Sequence, residues 1–192
     1  MAQEIERRAV PAAELRIIAD DAPRITGHAA LFDSLSEDLG GFRERIRPGA
    51  FAETLAQDDV RALFNHDPNL ILGRNRAGTL RLIEDGRGLK IEIDPPDTQS
   101  ARDLMVSIAR GDITQMSFGF AVKPDGQLWE KDAEGRVLRT LTSVRLFDIS
   151  PVVFPAYPET AVAVRMLQVW HNAQCAAPIS VLRRRLDLAL IS

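Results

Sequence analysis

Short apolar runs, each closed by glycine, proline, asparagine or aspartate, recur along almost the whole chain. Phe42-Arg43-Glu44-Arg45-Ile46 and Leu89-Lys90-Ile91-Glu92-Ile93 alternate with period two, the pattern of half-buried strands. Glu84-Asp85-Gly86-Arg87-Gly88 is a hairpin turn signal just before the second of these. Further strands are expected at 15–18, 25–32, 60–64, 70–73, 79–83, 116–122, 127–130, 136–141 and 144–149. Only two internal stretches read as helix. Pro48 opens a short one, where proline at the first helical position costs little. Asp97 or Thr98 caps the other, with Ala101, Leu104, Met105, Ile108 and Ala109 on one stripe and Gly111 as its stop. Strands and long helices do not alternate regularly, which argues against a doubly wound parallel sheet. The expected class is mainly β with flanking helices (α+β), a β-barrel or a sandwich.

The 192 residues make one domain the default, and a hydrophobic content of 45% allows a proper core. The formal net charge of -3 provides no global basic field, so nucleic acid is not an expected partner. The single cysteine, Cys175, excludes an internal disulfide and a cysteine-based zinc cluster. No run approaches the roughly 20 apolar residues of a membrane helix, and the charged N-terminus does not read as a signal peptide. A soluble, intracellular chain is expected. Residues 1–13 read as a flexible arm, with Glu4, Glu6, Arg7 and Arg8 as a solvated charge run. Residues 14–165 read as the main domain. Residues 166–192 read as an amphipathic helical tail, for targeting or self-cleavage.

Three residues draw attention as chemistry. Ser117 is a lone serine between large apolar groups in Gln115-Met116-Ser117-Phe118-Gly119-Phe120. It has glycine on one side only, so the nucleophile elbow of α/β-hydrolases is absent. The chain has three histidines, and His66 is the one placed at a strand end, before Asp67-Pro68, where a general base could reach a cleft. Asp148 in Phe147-Asp148-Ile149 is an acid within an apolar strand and asks for a partner, such as an imidazole or Arg145. Together they supply what serine acyl transfer needs: nucleophile, base and orienting carboxylate. Pattern alone also fits a structural histidine, a serine bonded to backbone and an outward-facing acid. Asp94 and Asp97 lack the further ligands a metal site needs, and Arg183 to Arg185 read as a solvated face.

In order, Gly27 to Phe32, Glu44 to Phe51, Phe64 to Asp67, Leu72 to Arg74, Asp85 to Leu89, Met116 to Phe120, Asp148 to Val153 and Pro155 to Tyr157 resemble the prohead maturation proteases of tailed bacteriophages. The resemblance implies a closed or nearly closed β-barrel like herpesvirus assemblin, wrapped by helices. It implies a serine endopeptidase with Ser117 as nucleophile, His66 as general base and Asp148 as third member, where the family commonly has Glu. Aspartate is one methylene shorter, so the backbone should lie closer to His66. The herpesvirus enzymes use a second histidine there, which only His28 or His171 could supply. No metal or cofactor is implied. The implied substrates are scaffold, the scaffolding segment of the major capsid protein, and the protease itself, inside the prohead in the bacterial cytoplasm. A homodimer is expected by analogy with assemblin. The alternative is an inactive, capsid-associated scaffolding β-barrel.

Overall fold

The computed structural model describes residues 5–10, 15–18, 23–154, 165 and 167–172. Its strands form three sheets. The first contains β1 (Glu6–Val10), β5 (Arg61–Phe64), β6 (Asp67–Arg74), β9 (Gln115–Val122) and β12 (Val144–Val152), in the order β1-β9-β12-β5-β6. The second has the order β2-β3-β8-β7, from β2 (Arg16–Ile18), β3 (Arg24–Leu31), β7 (Leu80–Glu84) and β8 (Gly88–Ile93). The third has the order β10-β11-β4, from β4 (Phe42–Ile46), β10 (Gln127–Lys131) and β11 (Val137–Leu141). This is a mainly β, α+β architecture. The barrel expectation is not met: among the described residues no sheet closes on itself. Side-chain packing links the sheets, and a single bridge, Phe32 to Ile46, joins the second to the third.

Alternation explains the packing. Ile25, Leu89, Ile91 and Ile93 of the second sheet meet Met116, Phe118 and Phe120 of β9 in one core. The Phe118 and Phe120 rings stack at 5.1 Å. Ser117 and Gly119 alternate with them and therefore project from the opposite face of the strand. The long helix α2 (Gln99–Arg110) follows the expected pattern: Ala101, Leu104 and Ile108 are buried. The Thr98 hydroxyl accepts from the Ala101 N–H, and Gly111 ends the helix at a φ of 82°. The short helix α1 (Ala52–Gln57) starts four residues after Pro48, because residues 48–51 form a turn rather than a first helical turn. Its buried Thr54 hydroxyl accepts from the Leu146 N–H at 2.9 Å and so ties α1 to β12.

Residues 6–10 are more ordered than a flexible arm, and residues 167–172 are helical as expected but packed. Residues 6–10 are a strand of the first sheet, paired along β9 from Glu6–Phe120 to Val10–Met116. Glu6 and Arg8 are not solvated but buried, at 2% and 6% exposure. They meet Glu44 of β4 and Arg139 of β11. Arg139 donates to Glu6 at 2.7 and 2.8 Å and to Glu44 at 2.9 Å. Arg8 donates to Glu44 at 2.8 Å and to Glu6 at 2.8 Å. Two acids and two arginines thus neutralise one another between two sheets. At the other end, residues 167–172 are helical, with Leu167 and Trp170 packed against Leu39, Phe42, Val137 and Trp129. That segment belongs to the folded body. The rest of the expected tail, from residue 173, lies outside the described residues.

Candidate active site

His66 stands in a two-residue loop between β5 and β6. Phe64 pairs with Asp67, so the chain reverses at Asn65 and His66 themselves and not at the following Asp67-Pro68. Both loop residues have positive φ, 52° and 57°, as tight hairpin loops of this length demand. Asparagine and histidine are among the non-glycine residues that tolerate it best. The loop is fastened to the end of β12. The Asn65 N–H donates to the Pro151 carbonyl at 3.0 Å, and Asn65 Oδ1 accepts from the Val153 N–H at 3.0 Å.

Ser117 and Asp148 reach His66 from two adjacent strands. In the β9–β12 ladder, Ser117 faces Ser150 and Gly119 faces Asp148. A β-bulge makes this register. Leu146 pairs with Phe120 and Asp148 with Gly119, which leaves Phe147 as the extra residue. Without it, Asp148 would point to the other face; bulges commonly re-aim a side chain in this way. The backbone N–H of Leu146, beside the bulge, is the one taken by Thr54.

The three side chains form one hydrogen-bonded line. Ser117 Oγ lies 2.7 Å from His66 Nε2, and His66 Nδ1 lies 2.5 Å from Asp148 Oδ2. With the imidazole proton on Nδ1, that nitrogen donates to the carboxylate and Nε2 is free to accept from the serine hydroxyl. Ser117 is fully buried, and the His66 and Asp148 side chains are 9% and 13% exposed. All three residues singled out from sequence therefore lie together. The partner of Asp148 is the imidazole, whereas Arg145 reaches toward Asp58 at 3.5 Å and over the Phe147 ring. The other histidines are elsewhere. His28 Nε2 is paired with Asp85 at 2.9 Å, and His171 lies against the Trp170 ring. Backbone N–H groups of Arg87 and Gly88, together with His28, hold the Asp85 carboxyl down at about 2.

Two neighbours, Gly119 and Ser150, complete the arrangement. A Cβ on Gly119 would stand 2.5 Å from Asp148 Oδ1, so the short carboxylate fits only because position 119 has no side chain. Ser150 is also buried, and its hydroxyl bridges Asp148 Oδ2 at 3.1 Å and the His66 N–H at 3.2 Å. Each residue sits opposite one of the paired groups, a relation that is visible only once the bulge is known. A Gly119→Ala variant should fold but lose about 1–3 kcal/mol of stability, because the Asp148 carboxylate must yield and give up its hydrogen bonds to His66 and Ser150. It should lose about 10²-fold in cleavage rate, since Asp148 must rotate off His66. Thermal unfolding and cleavage kinetics on the same preparation check both halves.

The sequence profile described as caudovirus prohead serine protease matches residues 10–174. A solved structure of the bacteriophage T4 capsid assembly protease, gp21, is similar over 78% of this chain and 97% of that one, with a TM-score of 0.49 and 9% identity. No curated protein matches the sequence. A profile match spanning most of the chain settles its kinship: it belongs to the caudovirus prohead serine protease family.

Proposed function

We propose that this chain is an active serine endopeptidase that matures the prohead, with Ser117 as nucleophile, His66 as general base and Asp148 as orienting carboxylate. The continuous hydrogen-bonded line from Ser117 Oγ through the imidazole to Asp148 carries this reading. His66 Nε2 takes the hydroxyl proton as Ser117 Oγ attacks the scissile carbonyl. Asp148 holds the proton-bearing Nδ1 in place and stabilises the imidazolium. His66 then protonates the leaving amine, and water, activated by the same imidazole, releases the acyl group. Developing charge on the carbonyl oxygen needs N–H donors. The Val153 N–H is engaged by Asn65 and is not free for this role.

Membership of a prohead protease family supports action inside the prohead in the host. Scaffold, the scaffolding segment of the major capsid protein and the protease itself are the proposed substrates. No helix among the described residues is long and apolar enough to cross a membrane. Co-expression with the major capsid protein of the same particle, followed by intact mass measurement, tests the reading. The expected result is a shortened capsid protein with one defined new terminus. A full-length capsid protein in assembled shells would instead favour the inactive scaffolding barrel.

A further inference from the structure

The geometry points to Ser150 as a positioning residue that sets the His66–Asp148 pair, an inference that rests on the protease reading above. Its hydroxyl has one hydrogen and can be assigned without ambiguity. The His66 backbone N–H can only donate, so at 3.2 Å Ser150 Oγ accepts from it. The hydroxyl hydrogen is then free to go to Asp148 Oδ2 at 3.1 Å. Asp148 Oδ2 thus receives two hydrogen bonds, one from His66 Nδ1 and one from Ser150, while Oδ1 faces Gly119.

One hydroxyl therefore fixes two things at once. It orients the carboxylate, and it holds the main chain of the base in the left-handed conformation of the 65–66 loop. That backbone is costly for a non-glycine residue and persists only where its surroundings over-determine it. Ser150 supplies one of three hydrogen bonds between this loop and the end of β12, and the Asn65 bonds to Pro151 and Val153 supply the others. Ser150 alone among these partners also touches Asp148. It lies directly across the ladder from Ser117, yet the imidazole Nε2 turns to Ser117. The two cross-strand serines have divided roles: Ser117 faces the nitrogen that exchanges a proton, and Ser150 faces the carboxylate and amide that locate the ring.

The test is a double-mutant cycle of Ser150→Ala and Asp148→Asn, read as the rate at which purified enzyme truncates the capsid protein. Ser150→Ala should lower kcat by about 10–100-fold with KM changed less than about threefold, the size expected for a hydrogen bond to a charged group. In the Asp148→Asn background the same change should cost several-fold less, because the charged carboxylate it orients is gone and only its hold on the His66 N–H remains. A purely structural serine would give equal losses in both backgrounds. Equal losses, or a kcat within twofold of the parent, would overturn the proposal. If Ser150→Ala does not fold, Ser150→Cys, of similar size and a weak donor, enters the same cycle with the same expected and overturning outcomes. A Ser117→Ala control separates the two ideas. Cleavage that survives in that variant would sink the serine mechanism on which the proposal rests, whereas an additive cycle with Ser117→Ala inactive would sink only the role of Ser150.

Discussion

Replacing Ser117 with alanine should stop truncation of the capsid protein and leave shell assembly intact. The side chain is buried between strands and is small, so its loss perturbs packing little. Its oxygen is the atom 2.7 Å from His66 Nε2 and the only nucleophile on that line. In serine proteases, losing the nucleophile or the base costs about 10⁶ in kcat, and the losses are grossly non-additive. His66→Ala should therefore match Ser117→Ala, and the double variant should be no worse than either. Asp148→Asn should cost about 10⁴, because the amide stabilises the wrong tautomer of the imidazole. Intact mass of the co-expressed capsid protein reads the first result, and time courses with purified enzyme read the others. Residual cleavage at a tenth of the parental rate in Ser117→Ala would exclude the serine mechanism.

The largest effect on stability should come from Arg139→Met. Arg139 is 1% exposed and donates to both Glu6 and Glu44, so its removal leaves two buried carboxylates with Arg8 alone. Breaking a buried ionic group on one side costs about 3–5 kcal/mol, a large share of the roughly 5–15 kcal/mol that holds a domain together. Urea unfolding at pH 7 measures it. The dependence on pH gives a sharper check. Burial alone would push the Glu6 carboxyl up, but the Arg139 and Arg8 guanidiniums outweigh it and hold the group below its ordinary value. A carboxyl lowered on folding stabilises the protein above its unfolded value, about 4.3, and that gain fades as pH falls through the folded value. The variant keeps the burial and loses the main attraction. Its deficit relative to the parent should therefore be large at pH 7 and shrink as the medium is acidified toward pH 4. An equal deficit at both values would mean that Arg139 acts by packing and not by charge.

The same cluster shows what sequence could and could not reveal. Strands such as Phe42–Ile46 and Gly88–Ile93 were legible because alternation between core and solvent is local. Glu6 and Arg8 obey the same alternation, but the side that points inward is charged. Charges read as solvent-facing unless their partners are known, and here the partners lie on β4 and β11, far along the chain. His66, Ser117 and Asp148 were legible because histidine is scarce, an acid in an apolar strand is unusual, and the flanking segments resemble a family. Their mutual geometry was not, since it depends on the bulge at Phe147 and on the loop at Asn65-His66. Neither leaves a local signature in composition or periodicity. The strand pattern left a barrel and a sandwich both open and the resemblance chose the closed barrel, but a strand pattern does not say whether a set of strands closes.

The order of strands around Ser117 bears on when the enzyme can act. Ala9 lies on one side of Ser117 and Ser150 on the other, so the first and last strands of the described chain both flank the nucleophile. A ribosome delivering this chain releases the serine long before it releases the carboxylate, and pairings this distant in sequence form slowly. On the proposed triad, an N-terminal fragment that ends before β12 holds Ser117 and His66 without Asp148, so the hydrogen-bonded line is complete only once the last described strand has been made.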